Sequence, residues 1–107
     1  MYILQMIFDR ETYLQNHNHI GFIQEYIKNI KFRLYNQRHV HVINRKDLYL
    51  LYKDWCENNK HTPLKTSIFY HFVETDNNGI KTVVHRGYRV YSFDKNKIDE
   101  YMNDILA

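Results

Sequence analysis

Apolar residues recur at helical spacing in two long segments of the chain. The first stripe, in residues 20–34, consists of Ile20, Ile23, Ile27, Ile30 and Leu34, and is widened by Phe22 and Tyr26. The second, within "LYLLYKDWCENN" (residues 48–59), consists of Leu48, Leu51, Tyr52, Trp55 and Cys56. Because residues three and four apart lie on the same face of a helix, each stripe predicts a helix with one buried face.

Weaker helical patterns occupy the two ends of the chain. Residues 2–15 place Ile3, Met6, Ile7 and Leu14 roughly on one side of a short amphipathic helix. Asp94 is placed to cap a helix over residues 95–106, whose stripe is Ile98, Tyr101, Met102 and Ile105. We expect both terminal helices to pack on the central domain; the alternative is that they form a surface for a partner.

The hydrophobic period changes from helix to strand in "RHVHVI", residues 38–43. There Val40 and Val42 alternate with His39, His41 and Ile43, which predicts a short β-strand. Asn44 follows, a residue type favoured as the N-cap of a helix, and "ENNKHTP" (57–63) is expected to end the helix that it caps.

A further helix is predicted in "LKTSIFYHFVE", residues 64–74. Either Pro63 occupies its first turn with Thr62 as the cap, or the helix begins near Lys65. Its buried side is predicted to consist of Leu64, Ile68, Phe69 and Phe72. The residues expected to face outward are Lys65, Thr66, Ser67, Tyr70 and His71.

A β-hairpin is predicted after the "DNNG" turn at residues 76–79. Its strands are "IKTVVH" and "YRVYSF", joined at Arg86-Gly87, where glycine supplies a positive φ. Both alternating sets of side chains contain apolar residues, so the pattern leaves the buried face of the hairpin open.

The predicted order of elements is α-β-α-α-β-β with an additional helix at each terminus. This order is typical of a winged helix-turn-helix, an α+β fold. A chain of 107 residues predicts one domain. We place its core at about residues 18–93 and its flanking helices at about 2–15 and 95–106.

Composition and charge limit the classes of function that the chain can have. A hydrophobic content of 44% argues against disorder, and no apolar run approaches the ~20 residues of a membrane span. The N-terminus lacks a basic signal-peptide region, so we expect an intracellular, cytoplasmic protein without a membrane partner. Net charge is +3, but one segment is more basic, with Lys60, Lys65, Lys81, Arg86 and Arg89 against Glu74 and Asp76. Such a local basic patch is compatible with nucleic-acid binding.

Catalytic chemistry is not indicated by the residue pattern. The single cysteine, Cys56, shares a helix face with Leu48 and Trp55, which predicts a small buried hydrophobe rather than a nucleophile. His39 and His41 lie on the same side of a predicted strand, but no Asp, Glu or Cys follows at a spacing useful for a metal site. We therefore expect no enzyme activity, no metal and no cofactor.

The segment "DLYLLYKDWCENNKHTPLKTSIFYHFV", residues 47–73, resembles the C-terminal domain of the phage and plasmid DNA primase-helicase family, which poxviruses and other large DNA viruses share. The matching residues are Leu48, Tyr49, Tyr52, Trp55, Cys56, Pro63, Leu64 and Phe69. "NHIGFIQEYI" and "HRGYRVYSF" resemble the family's first helix and last strand, so the likeness covers about residues 16–93. Lys65 stands where that family often has a capping serine. The chain has no GxxxxGK[ST] loop, so helicase or primase chemistry would belong to another part of a longer polypeptide.

The resemblance implies a winged-helix accessory domain that contacts DNA in a mobile-element or viral replication protein. In a winged helix the second helix of the turn usually enters the major groove and the hairpin touches the backbone or minor groove. The predicted DNA-binding residues are Lys65, Thr66, Ser67, Tyr70, His71, Lys81, His85, Arg86 and Arg89. We expect binding to duplex or forked DNA with weak sequence specificity. Two alternatives remain: a domain that binds other replication proteins or itself, and a small stand-alone transcription regulator.

Overall fold

The structure, a computed structural model, describes residues 17–75 and 79–106. This part of the chain is α+β, with four α-helices and a four-stranded antiparallel sheet. The helices are α1 (His19–Asn29), α2 (Arg45–Asn58), α3 (Thr66–Thr75) and α4 (Lys95–Leu106). The strands are β1 (Arg33–Tyr35), β2 (Arg38–Asn44), β3 (Ile80–His85) and β4 (Tyr88–Asp94).

The sheet has the strand order β1-β2-β4-β3. On β4, Phe93 lies between His41 and Ile80, and Tyr91 lies between Ile43 and Thr82. Paired residues share a face of the sheet, and successive residues alternate between faces. The face that carries Ile80, Tyr91 and Phe93 is therefore the core face, because these side chains are buried.

One hydrophobic core joins the described helices to this face of the sheet. Its buried members are Phe22, Ile23, Leu48, Tyr52, Cys56, Phe69, Val73, Ile80, Tyr91, Phe93, Ile98 and Met102. Each large side chain that is fully buried contributes about 1.5–3 kcal/mol relative to an exposed one. The core therefore fixes the positions of α3 and of the β3–β4 hairpin, on which most predicted contact residues lie.

Both predicted helix caps are confirmed. The Asn44 side chain accepts a hydrogen bond from the backbone N–H of Lys46 at 2.9 Å. The Asp94 side chain accepts from the N–H groups of Asn96 at 3.1 Å and Lys97 at 3.3 Å. Each cap lies at the end of a strand, so it converts the strand directly into the following helix.

The prediction that the first long helix extends to Leu34 is wrong. The helix ends at Asn29, and Leu34 lies on strand β1 with 70% of its surface exposed. Asn36 and Gln37 adopt left-handed backbone angles, φ 48° and 64°. This two-residue turn matches the twist of a hairpin, so residues 33–35 pair with β2 instead of continuing the helix. Strand β1 is absent from the predicted order of elements.

Three burial predictions are also wrong. Leu51 is 43% exposed and Ile68 is 40% exposed, although both were assigned to buried faces. The fully buried row of α2 is Leu48, Tyr52 and Cys56, and that of α3 is Phe69 and Val73. Each row has a spacing of four residues, which places Leu51 and Ile68 at its margin. The third error is Tyr70, predicted to face outward, which is half-buried.

Some of the remaining predictions concern residues that the structure describes, and others concern residues outside that part of the chain. Helix α4 is confirmed, with Ile98 and Met102 buried, whereas the side chain of Ile105 lies outside the described residues. The predicted helix over residues 2–15 and most of the "DNNG" turn also lie outside them. Within the described ranges no helix is long and apolar enough to cross a membrane.

Candidate nucleic-acid interface

Helix α2 fixes the backbone just before α3 with two tyrosine hydroxyls. The N–H of Leu64 donates to the hydroxyl of Tyr52, and the hydroxyl of Tyr49 donates to the carbonyl of Leu64, each at 2.7 Å. Both backbone polar groups of Leu64 are thus satisfied by side chains that lie one turn apart on α2. The aromatic pattern of α2 therefore sets where α3 begins.

The same contact region includes the start of α1. The Tyr52 hydroxyl donates to the Asn18 side chain, whose amide donates to the carbonyl of Thr62 at 2.9 Å. Burial raises the pKa of Tyr52, so its hydroxyl keeps the proton that this bond requires. The Tyr52 ring stacks on Phe69 of α3, with centroids 4.4 Å apart. Tyr52 is the common contact of α1, the α2–α3 connection and α3.

Helix α3 begins immediately after Lys65. The Lys65 carbonyl accepts the N–H of Phe69 at 2.9 Å, so Lys65 occupies the cap position. Of the two predicted starts, the one near Lys65 is therefore confirmed. Lys65, Thr66 and Ser67 are exposed, as is His71 one turn later. A lysine side chain cannot accept a hydrogen bond, so the Lys65 side chain leaves the first N–H groups of α3 available to an anion.

Tyr70 is partly exposed, and its ring also packs against residues of the scaffold. The guanidinium of Arg45 lies 4.1 Å from the centre of the Tyr70 ring and 3.6 Å from the Glu74 carboxylate. The ring also contacts Tyr91 edge-on, at 6.3 Å between centroids. Burial raises the pKa of Tyr70. Arg45 could not be identified from the sequence, since only the folded chain brings the first residue of α2 against α3.

The β3–β4 hairpin carries the other predicted contact residues. Residues 81–89 are all exposed. Its register places Lys81 and His85 on the face opposite the core face, whereas Arg89 pairs with Val84 on the continuation of the core face. Arg86 and Gly87 form the turn, with φ 50° and 82°. The hairpin cations therefore lie on both faces and at the tip rather than in one row.

Positive charge is not neutralised on this hairpin. From Gly79 to Phe93 the chain contains no acidic residue. The ion pairs found among the described residues are Arg38–Asp94 and Arg45–Glu74. Within that part of the chain Lys65, Lys81, Arg86 and Arg89 therefore have no acidic partner, and they remain available for phosphate groups.

The predicted site residues form two patches. One is the exposed first turn of α3, and the other is the hairpin. Among the described contacts, no hydrogen bond or ion pair joins the two patches directly. They are connected through the far end of α3, where the Thr82 hydroxyl donates to the Glu74 carboxylate at 3.3 Å.

Cys56 is buried and His41 is partly buried. Cys56 has no exposed surface, and burial raises the pKa of its thiol, which opposes thiolate formation. His41 lies against the Tyr26 hydroxyl at 2.8 Å, and burial lowers its pKa. No group of three or more potential metal ligands is found in the described ranges.

Tyr88 is the residue at this surface that the sequence analysis overlooked. It is 67% exposed and directly follows the Arg86-Gly87 turn. The available signal was its position, since a residue directly after a two-residue turn lies at the outer end of the hairpin. Compared with family models, with curated proteins and with solved structures, the chain gave no match.

Proposed function

We propose that this chain is a DNA-binding winged-helix module without catalysis of its own, which contacts DNA through α3 and the β3–β4 hairpin. The observation that carries the proposal is the exposed hairpin with three cations and no acidic residue between Gly79 and Phe93. The order α1-β2-α2-α3-β3-β4, with β4 between β2 and β3, is compatible with a winged-helix arrangement.

The first patch is suited to contact the DNA phosphates that line a major groove. Lys65 supplies a positive charge, and the hydroxyls of Thr66 and Ser67 lie in the first helical turn beside backbone N–H groups. Helix N-termini and hydroxyls are common partners of phosphate oxygens. Contacts of this kind position a helix on DNA but do not read its sequence.

Sequence specificity is expected to be weak. Direct readout relies mainly on bidentate contacts from Arg, Lys, Asn or Gln to purine edges. The exposed residues at the start of α3 are Lys65, Thr66, Ser67 and Ile68, with His71 one turn later. This set contains one candidate for such contacts, Lys65, so shape and charge dominate the proposed binding. The resemblance to the primase-helicase family supports placing the module in a viral or mobile-element replication protein.

Charge reversal tests the proposal. Lys65→Glu with Arg86→Glu removes one cation from each patch, and we expect it to abolish binding to a labelled duplex. Lys28→Glu with Lys53→Glu is the matched control, because it changes net charge equally at exposed positions of α1 and α2. Equal loss in both double variants, with circular dichroism unchanged, would contradict the proposed site.

A second candidate function is a protein contact through the outer face of the sheet. Val42 is 55% exposed and Val83 is 43% exposed, and the register places both on the face opposite the core. Light scattering separates the two functions. Self-association without a shift of labelled DNA would favour the protein contact, and a monomer that shifts DNA favours the first proposal.

A further inference from the structure

Two exposed aromatic side chains flank the tip of the β3–β4 hairpin. His85 and Tyr88 are cross-strand partners that flank the turn, and they share the face opposite the core. Both side chains are exposed, Tyr88 by 67%. No aromatic ring in the described part of the chain is in contact with Tyr88. The ring therefore has an open face and contributes little to the core.

We propose that the Tyr88 ring, with His85 beside it, stacks on an unpaired base, so that the hairpin tip recognises partly unpaired DNA. This inference rests on the proposed DNA-binding function and adds a substrate class to it. Aromatic side chains stack on any base because every base has a π face, so such a contact needs no particular sequence.

Only unpaired bases offer a free face to the Tyr88 ring. Inside a continuous duplex both faces of each base pair are already covered by neighbouring pairs, and inserting a ring requires unstacking. An unpaired base at a fork or in a single strand has a free face. Phosphate contacts from Arg86 at the tip and Lys81 on the same face then hold the backbone beside the ring. Charge alone would not distinguish these DNA forms in this way.

The turn before Tyr88 is open on its outer side. Gly87 has φ 82°, and a Cβ at this position would have no atom within 4 Å. Among the described residues, none other than its chain neighbours therefore crowds Gly87 at the tip. Tyr35 provides a comparison: it is 68% exposed beside the Asn36-Gln37 turn. Because β2 and β4 are antiparallel, that turn lies at the opposite end of the sheet, so a base held at the β3–β4 tip would not reach Tyr35.

The test compares DNA forms with and without unpaired bases. The probes are a fork, a single strand and a duplex whose two ends are closed by non-nucleotide linkers, with 2-aminopurine placed in the unpaired arms of the first two. Stacking quenches the fluorescence of this base. The variants are Tyr88→Ala, Tyr88→Phe, and Tyr35→Ala as the matched control for an exposed tyrosine at the other turn.

We expect Tyr88→Ala to weaken fork and single-strand binding by roughly 5- to 150-fold, the range of one base–aromatic stack. The affinity of Tyr88→Ala for the closed duplex should be unchanged, and the fluorescence quenching should disappear. Tyr88→Phe should restore the quenching and the affinity for the fork and the single strand. Tyr35→Ala should behave as wild type. Equal loss on all three probes, or no loss on any, overturns the inference. If wild type binds none of the probes, the proposed function itself fails, so the two failures are distinct.

Discussion

Removing the hydroxyl of Tyr52 tests how α3 is positioned. Tyr52→Phe keeps the ring that stacks on Phe69 but deletes two hydrogen bonds at once. The Asn18 side-chain oxygen and the Leu64 N–H each lose a partner. Asn18 is only 6% exposed, so water cannot readily replace the lost donor.

The expected cost follows from these two groups. A buried polar group left unsatisfied costs about 1–3 kcal/mol. Asn18 should lie in the upper part of this range, and the half-buried Leu64 N–H near its lower end. We therefore expect Tyr52→Phe to lower the free energy of unfolding by about 2–4 kcal/mol. For a domain of this size, where 1 kcal/mol shifts Tm by ~4 °C, Tm should fall by ~8–16 °C.

Tyr49→Phe is the control for this prediction. It deletes one hydrogen bond to the same residue, and the Leu64 carbonyl that remains can accept from water, so about 0.5–1.5 kcal/mol is expected. Both variants are compared by urea denaturation followed through the fluorescence of Trp55, the only tryptophan. Equal effects of the two substitutions, or a loss below about 0.5 kcal/mol for Tyr52→Phe, would refute the reasoning.

Three further predictions concern the scaffold. In urea melts, Gly79→Ala should lower the free energy of unfolding by more than about 2 kcal/mol and Gly87→Ala by about 1 kcal/mol. Both glycines have positive φ, but only at Gly79 would a Cβ lie 2.8 Å from the backbone nitrogen of Ile98. Equal losses in the two variants would contradict this prediction. Burial lowers the pKa of His41 from its usual 6.5, so the unfolded chain binds more protons and stability should fall as pH drops below about 6.5. His41→Gln should reduce that dependence in melts at about pH 7.5 and 5.5, and an unchanged dependence would count against this origin. The Cys56 thiol should react with a disulfide reagent only on the timescale of unfolding; rapid reaction of folded protein would show that it is accessible.

Several elements were predictable because they depend on local chemistry. Asn44 and Asp94 are recognisable caps since each is followed by a helical stripe, and Arg86-Gly87 is a turn that tolerates positive φ. The helical prediction for Leu34 was wrong because its spacing from Ile30 fits a helix as well as a strand. Strand β1 exists through pairing with β2, an interaction between segments that no local pattern encodes.

The candidate site was predictable in its residues but not in its arrangement. Exposed cations such as Lys65 and Arg86 follow from position and charge alone. The contact of Arg45 with Tyr70 depends on how α2 packs against α3, so the partial burial of Tyr70 was missed. The division of Lys81 and Arg89 between opposite faces follows from strand register, which the alternating pattern of the hairpin left open.

The most direct test of DNA binding is the salt dependence of duplex affinity for the wild-type chain. The five cations of the basic segment are Lys60, Lys65, Lys81, Arg86 and Arg89. Each phosphate neutralised contributes about −0.9 to the slope of log K against log salt concentration, so the slope is about −4.5 if all five cations contact phosphate. A slope of that size supports phosphate binding by this surface, and a slope near zero would contradict it.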